Sequence, residues 1–110
     1  MIQEQIEKIE AKIGSSENIP AETRADLLTL LSTLKSQIAD LDQTHSEDAA
    51  SIARFAEVTT HEATREEKRP QLVQAGLQGL TSSVEGFETS HPSLVQSVNQ
   101  LAVALSNMGI

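Results

Sequence analysis

Apolar residues recur along this chain in steps of three and four, in five separate stretches. Ile2, Ile6, Ile9 and Ile13 form one ladder, and Leu27, Leu31, Leu34, Ile38 and Leu41 form a second. Val73, Leu77, Leu80, Val84 and Phe87 make another, followed by Leu94, Val98, Leu101, Leu105 and Met108. A thinner series, Ile52 and Phe55 among alanines, lies between the two pairs. This spacing lays an apolar stripe along one side of a helix, and the stripe must be covered by another helix. The chain is therefore expected to be all-α, as an elongated helical bundle or coiled-coil-like assembly.

A length of 110 residues suits one small helical domain, 1–110. The only aromatic residues are Phe55 and Phe87, so the core must be built from Leu, Ile, Val and Ala, which interdigitate well between closely packed helices. Ligand pockets and base-stacking surfaces usually use aromatic residues. A formal charge of −8 disfavours nucleic acid and anionic membranes as partners, because both repel an acidic surface. Mimicry of DNA is the contrary reading of that charge, although acidic faces more often serve solubility. Cysteine is absent, which removes disulfides, thiolate metal ligands and a cysteine nucleophile. The opening residues interleave charge with isoleucine rather than forming a signal peptide, and no stretch approaches the ~20 apolar residues of a membrane span. A cytoplasmic protein is expected.

Helix 1 is predicted from Ile2 to Ile13, ending at Gly14. Pro20 then opens helix 2, and the two ladders close an N-terminal helical hairpin over 1–41. The charged segment 42–69 admits two readings. Continued in steps of four and three, the second ladder runs through His45, Asp48, Ile52, Phe55 and Thr59, giving one long central helix from Pro20 to about Arg69. Alternatively the chain breaks at Asp42 to Ser46, with Thr44 as N-cap and Glu47 completing a capping box. The absence of Gly and Pro between Ala21 and Arg69 favours the continuous helix, about 75 Å long at a rise of ~1.5 Å per residue. Such a helix does not fit inside a globule whose radius of gyration is about 13 Å. Helix 1 can shield its first half and helix 4, of the Val73 ladder, its second, which leaves helix 5, of the Leu94 ladder, to be covered by a second copy of the chain. Within that helix His45 and Asp48 form a candidate polar layer in the seam, able to fix register or partner number and to make assembly respond to pH.

Charge is distributed unevenly. Residues 1–69 hold all eight Lys and Arg, and Glu85 and Glu88 are the only charged side chains from Pro70 to Ile110. Segment 70–110 is predicted to form two C-terminal helices with Gln, Ser, Thr and Asn on their polar faces. Depletion of charge marks interface cores. Helix 4, about Gln71 to Thr89, carries Ala75, Gly79, Ser82 and Gly86 as a small-residue stripe opposite its ladder. Close approach by another helix would explain retaining glycines that cost about 1 kcal/mol each; a weak helix that tolerates them is the plainer account. Ala75, Gly79, Ser82, Gly86, Leu94, Val98, Leu101 and Leu105 are the candidate oligomer interface.

Phe87-Glu88-Thr89-Ser90-His91-Pro92-Ser93-Leu94, followed by Leu101, Leu105 and a closing Met108-Gly109-Ile110, resembles the C-terminal signature of a family of short, uncharacterised bacterial helical proteins. The N-terminal hairpin fits the same family, and the middle of the chain is longer than in its typical members. The resemblance implies a bacterial origin and a helical fold, and it supplies no activity. Read physically, Phe87, Glu88, His91 and Pro92 are a turn: Pro92 opens helix 5, Ser90 or His91 caps it, and Glu88 reaches His91. Gly109 ends that helix and lets Ile110 fold back. The functional alternative is an exposed recognition corner built from Phe87, Glu88 and His91.

Metal binding and catalysis find little support. His45, His61 and His91 are far apart in sequence, and His61-Glu62 lacks a second histidine at the zincin spacing. Glu57, His61 and Arg65 follow one another at i, i+4 steps as a solvated ion-pair face. Thr59, Thr60, His61 and Glu62 are adjacent and so point in different directions on a helix, unlike a hydrolytic triad. The glycines at 76, 79 and 86 have no P-loop lysine. No cofactor and no metal are expected. The sequence points to a non-enzymatic, homo-oligomeric scaffold or adaptor, a dimer or tetramer, with a monomeric module that binds another protein as the alternative. A compact pocket lined by His and Glu would instead indicate a small-ligand binder or enzyme.

Overall fold

A computed structural model describes residues 2–109, with side chains through Met108. Five helices follow in order: α1 Ile2–Ser15, α2 Ala21–Asp42, α3 Ser46–Thr64, α4 Pro70–Ser82 and α5 Pro92–Gly109. No strand occurs among the described residues, so the chain is all-α. The ladders face inward as their spacing requires: Ile6, Ile9, Ile13, Leu27, Leu31, Leu34, Ile38 and Leu41 are all buried. Arg24 fastens the loop between α1 and α2 by donating to the carbonyls of Ser16 and Ile19 at 2.6 and 3.1 Å, and Lys35 pairs with Glu10 across the same two helices at 3.2 Å.

The long central helix does not form. Backbone N–H groups of Thr44 and His45 both turn back to the carbonyl of Leu41, and the chain reverses through Gln43, Thr44 and His45 before α3 begins. Thr, His and Ser at 44–46 compete poorly for helix interiors. Reversal also places Ile52, Ala53 and Ala56 in the same core as the α2 ladder, whereas a straight helix would leave half its stripe in water. The break falls where the capping-box reading put it, but the N-cap is His45 rather than Thr44, and its side chain makes no capping bond. The molecule measures 37 × 24 × 22 Å, with a radius of gyration of 12.9 Å. The single chain is a compact globule and does not have the elongated shape expected.

α3 touches all four other helices. α1 covers α2 and α3 on one side; α5 lies against α2 and α3 elsewhere, and α4 completes the packing against α3 and α5. A helix face shared by four neighbours needs small side chains, and α3 buries Ala49, Ala53, Ala56, Thr59, Thr60, Ala63 and Thr64. Thr59 and Thr64 donate to the carbonyls four residues back, at 2.6 and 2.7 Å, which satisfies those hydroxyls within the apolar interior.

Four boundaries depart from expectation, and the first is Pro20, which is the N-cap of α2 rather than its first helical residue. α1 continues through Gly14 to Ser15. α4 stops at Ser82 rather than Thr89: the Ser83 hydroxyl donates to the carbonyl of Leu80, and the backbone tightens to three-residue turns through Phe87. Val84 still reaches the core from that turn. Gly109 belongs to α5, and the expected return of Ile110 lies outside the described residues.

Candidate functional site

The turn between α2 and α3 meets the turn between α4 and α5, and this contact joins residues that are distant in sequence. His45 lies edge-on to Phe87 with ring centroids 5.5 Å apart and to His91 at 5.9 Å, while Phe87 and His91 are 5.4 Å apart. All three pairs are close to perpendicular, the arrangement aromatic quadrupoles favour. Thr44 Oγ1 lies 2.8 Å from His45 Nδ1, and Ser90 Oγ lies 2.8 Å from His91 Nδ1. Gly86, at φ 95°, makes the sharp bend that presents Phe87. Its N–H donates to both carboxylate oxygens of Glu88, at 2.9 and 3.2 Å.

These contacts revise several expectations. His45 and Asp48 are both exposed, so they form no polar layer in a helical seam; the break at Gln43–His45 takes them out of it. Glu88 grips the Gly86 amide instead of reaching His91. A hydroxyl beside an imidazole begins a nucleophilic site, but neither ring donates a hydrogen bond to a carboxylate among the described residues. Nor does any group of three or more His, Cys, Asp or Glu there stand in position to hold a metal. The corner is a rigid ring-on-ring joint with its polar edges in water.

The candidate oligomer interface separates into distinct environments. Leu94, Val98, Leu101 and Leu105 are buried in the core of the single chain, because α2, α3 and α4 supply the cover that a second copy was expected to provide. Gly79 is covered by the ring of Phe55. Gly86 belongs to the bend and not to a helix face. Ala75 and Ser82 are exposed.

On the C-terminal third both the outer side of α4, where Leu72 is 40% exposed, and the outer side of α5 are open. Pro92, Val95, Gln96, Asn99, Gln100 and Val103 line a shallow depression that begins at the aromatic corner, and Val103 is 60% exposed. None of these side chains is charged. Composition had indicated this polar face without locating its centre; the signal was available in Pro92, Gln96, Asn99 and Val103, which step by four, three and four opposite the leucine ladder. At the far end of α5, Lys68 donates to the carbonyl of Met108 at 2.9 Å, a cation where the helix dipole is negative.

The presumed ion-pair face on α3 is also rearranged. Arg65 pairs with Glu62 at 2.8 Å, and His61 is approached across α1 by Lys12, whose Nζ lies 3.0 Å from Nδ1.

Among known proteins, the family model of a domain of unknown function (DUF4404) matches residues 31–110. No curated protein and no solved structure matches the chain.

Proposed function

The chain belongs to this family of unknown function, DUF4404, and we propose that it is a non-enzymatic helical scaffold that pairs with a second copy of itself through the outer face of α5. The observation that carries the reading is a charge-free face on a chain of formal charge −8. Two acidic molecules repel over a range of roughly 10 Å at 0.1 M salt. They meet at least cost where neither presents a carboxylate, and Val103 at the C-terminal end of that depression supplies apolar surface to bury. α5 has 18 residues, about 27 Å at ~1.5 Å per residue, which suits two-fold packing of identical helices.

A second reading is favoured by one observation. The ladders of all five helices contribute to a core completed within one chain, so the molecule needs no partner to fold and suits a monomeric module that offers the same face to a different protein. A bacterial origin, resting on the resemblance carried by residues 87–110, and a cytoplasmic setting are part of the proposal. No helix among the described residues is long and apolar enough to cross a membrane.

Light scattering over a concentration series tests the proposal, with refractive-index detection because the chain has neither Trp nor Tyr. The expected mass is twice the 11.9 kDa of one chain, and Val103→Asp is expected to return it to the monomer by placing like charges at the contact. A monomer at every concentration rejects self-association and leaves the second reading.

A further inference from the structure

α1 and α3 enclose a groove of ≈ 400 Å³ lined by Lys8, Ile9, Lys12, Glu57, Val58, Thr60, His61 and Glu62. Its lining is far less acidic than the molecule, with Lys8 and Lys12 balancing Glu57 and Glu62, and Arg65 behind Glu62 tips the balance. Glu62 is neutralised by Arg65 at 2.8 Å, so Lys8 and Lys12 against Glu57 leave one net positive charge, on a chain of formal charge −8. Neither lysine is spent on a carboxylate: Lys8 has no hydrogen-bond or ion-pair partner among the described residues, and Lys12 contacts only the imidazole of His61. With the Lys12 ammonium as donor, His61 accepts at Nδ1 and holds its proton on Nε2, which lies 4.0 Å from Glu62 Oε2. Lys12 is thus steered over the groove by an imidazole rather than by a carboxylate. Lys8 stands one helical turn away on the same side of α1.

The rest of the groove is apolar. Ile9 forms the floor at 2% exposure, and Val58 is a large apolar side chain left 47% exposed beside the two ammonium groups. Thr60 lines the same groove, and its buried hydroxyl makes no hydrogen bond, unlike those of Thr59 and Thr64.

We propose that this groove binds a small amphiphilic organic acid, with its carboxylate between Lys8 and Lys12 and its aliphatic body over Ile9 and Val58. One net positive charge matches one carboxylate, and Glu57 on the rim disfavours a compact dianion such as phosphate. The site is separate from the α5 face, so it stands or falls independently of self-association.

Titration of the full chain with octanoate, kept below its micelle concentration and followed by amide and imidazole NMR, tests the site. Resonances of Lys8, Lys12, Val58 and His61 are expected to move together and saturate. Octan-1-ol and inorganic phosphate, each holding half of the recognition, are expected to bind at least tenfold more weakly. The double variant Lys8→Gln with Lys12→Gln is expected to weaken octanoate at least tenfold while its circular dichroism and melting temperature match the parent. If that variant does not fold, Val58→Asn removes the apolar half and is expected to weaken binding severalfold. Absence of saturation by about 10 mM octanoate, equal binding by these variants, or phosphate binding as tightly as octanoate overturns the proposal.

Discussion

Gly76 and Gly79 sit three residues apart on α4 and meet α3 in different ways. A Cβ on Gly76 would stand 2.7 Å from Thr59 Oγ1 and 3.1 Å from Thr59 Cα, and a backbone atom inside a packed helix cannot swing aside. A Cβ on Gly79 would meet the ring of Phe55, but that ring is 39% exposed and can turn into solvent. Gly76→Ala is therefore expected to cost about 1–3 kcal/mol by overpacking. Gly79→Ala is expected to stay within about 1 kcal/mol of the parent, since the gain in helix propensity offsets the displaced ring. Urea unfolding followed by circular dichroism separates the two; equal effects would show that α4 can shift away from Thr59. The sequence singled out Gly79 through the stripe Ala75, Gly79, Ser82 and Gly86. Gly76 escaped notice because it lies on the ladder side with Val73 and Leu80, where a small residue reads as a gap instead of a contact.

α3 shows best how an element can be central and yet faint in sequence. Amphipathic periodicity is strong when one side of a helix is buried and the other solvated. α3 touches four neighbours, but apart from Ile52 its buried face is made of Ala and Thr, which are too weakly apolar to stand out as a ladder. That faintness also let the ladder of α2 be extended through His45 and Asp48, where the chain in fact turns. α4 offers a test of a local term. Its N-cap is Arg69, which makes no side-chain cap bond and is followed by Pro70 at the first helical positions. A cation there opposes the helix dipole and leaves an amide uncapped. Arg69→Asp is expected to raise stability by about 1 kcal/mol, seen as a higher midpoint in urea; a lower midpoint would mean that the guanidinium holds the α3–α4 loop by packing.

At the scale of the molecule, the family match begins at residue 31, partway along α2, yet the core extends beyond it. Ile6, Ile9, Ile13 and Ile19 are each no more than 5% exposed. At about 1.5–3 kcal/mol for each such side chain, their burial is comparable to the whole stability of a small domain, roughly 5–15 kcal/mol. A chain of residues 20–110 is therefore expected to lose cooperative thermal unfolding, because α2 and α3 would expose the surface that α1 covers. A sharp melt in the truncated chain would show α1 to be an appendage.

Helix content, the inward-facing residues of α1, α2 and α5, and the turn at Phe87–Pro92 follow from the chain alone, because periodicity of side chains and helix-boundary chemistry are local properties. Fold shape does not follow from them. Whether Leu41 leads into a straight helix or a reversal depends on whether a neighbour is present to bury Ile52 and Ala56, and Leu101 looks the same in sequence whether α2 and α3 or a second copy covers it. The meeting of His45 with Phe87 and His91, and of Lys12 with His61, joins residues 42 to 49 positions apart. Only the packing of helices across one another brings such residues together.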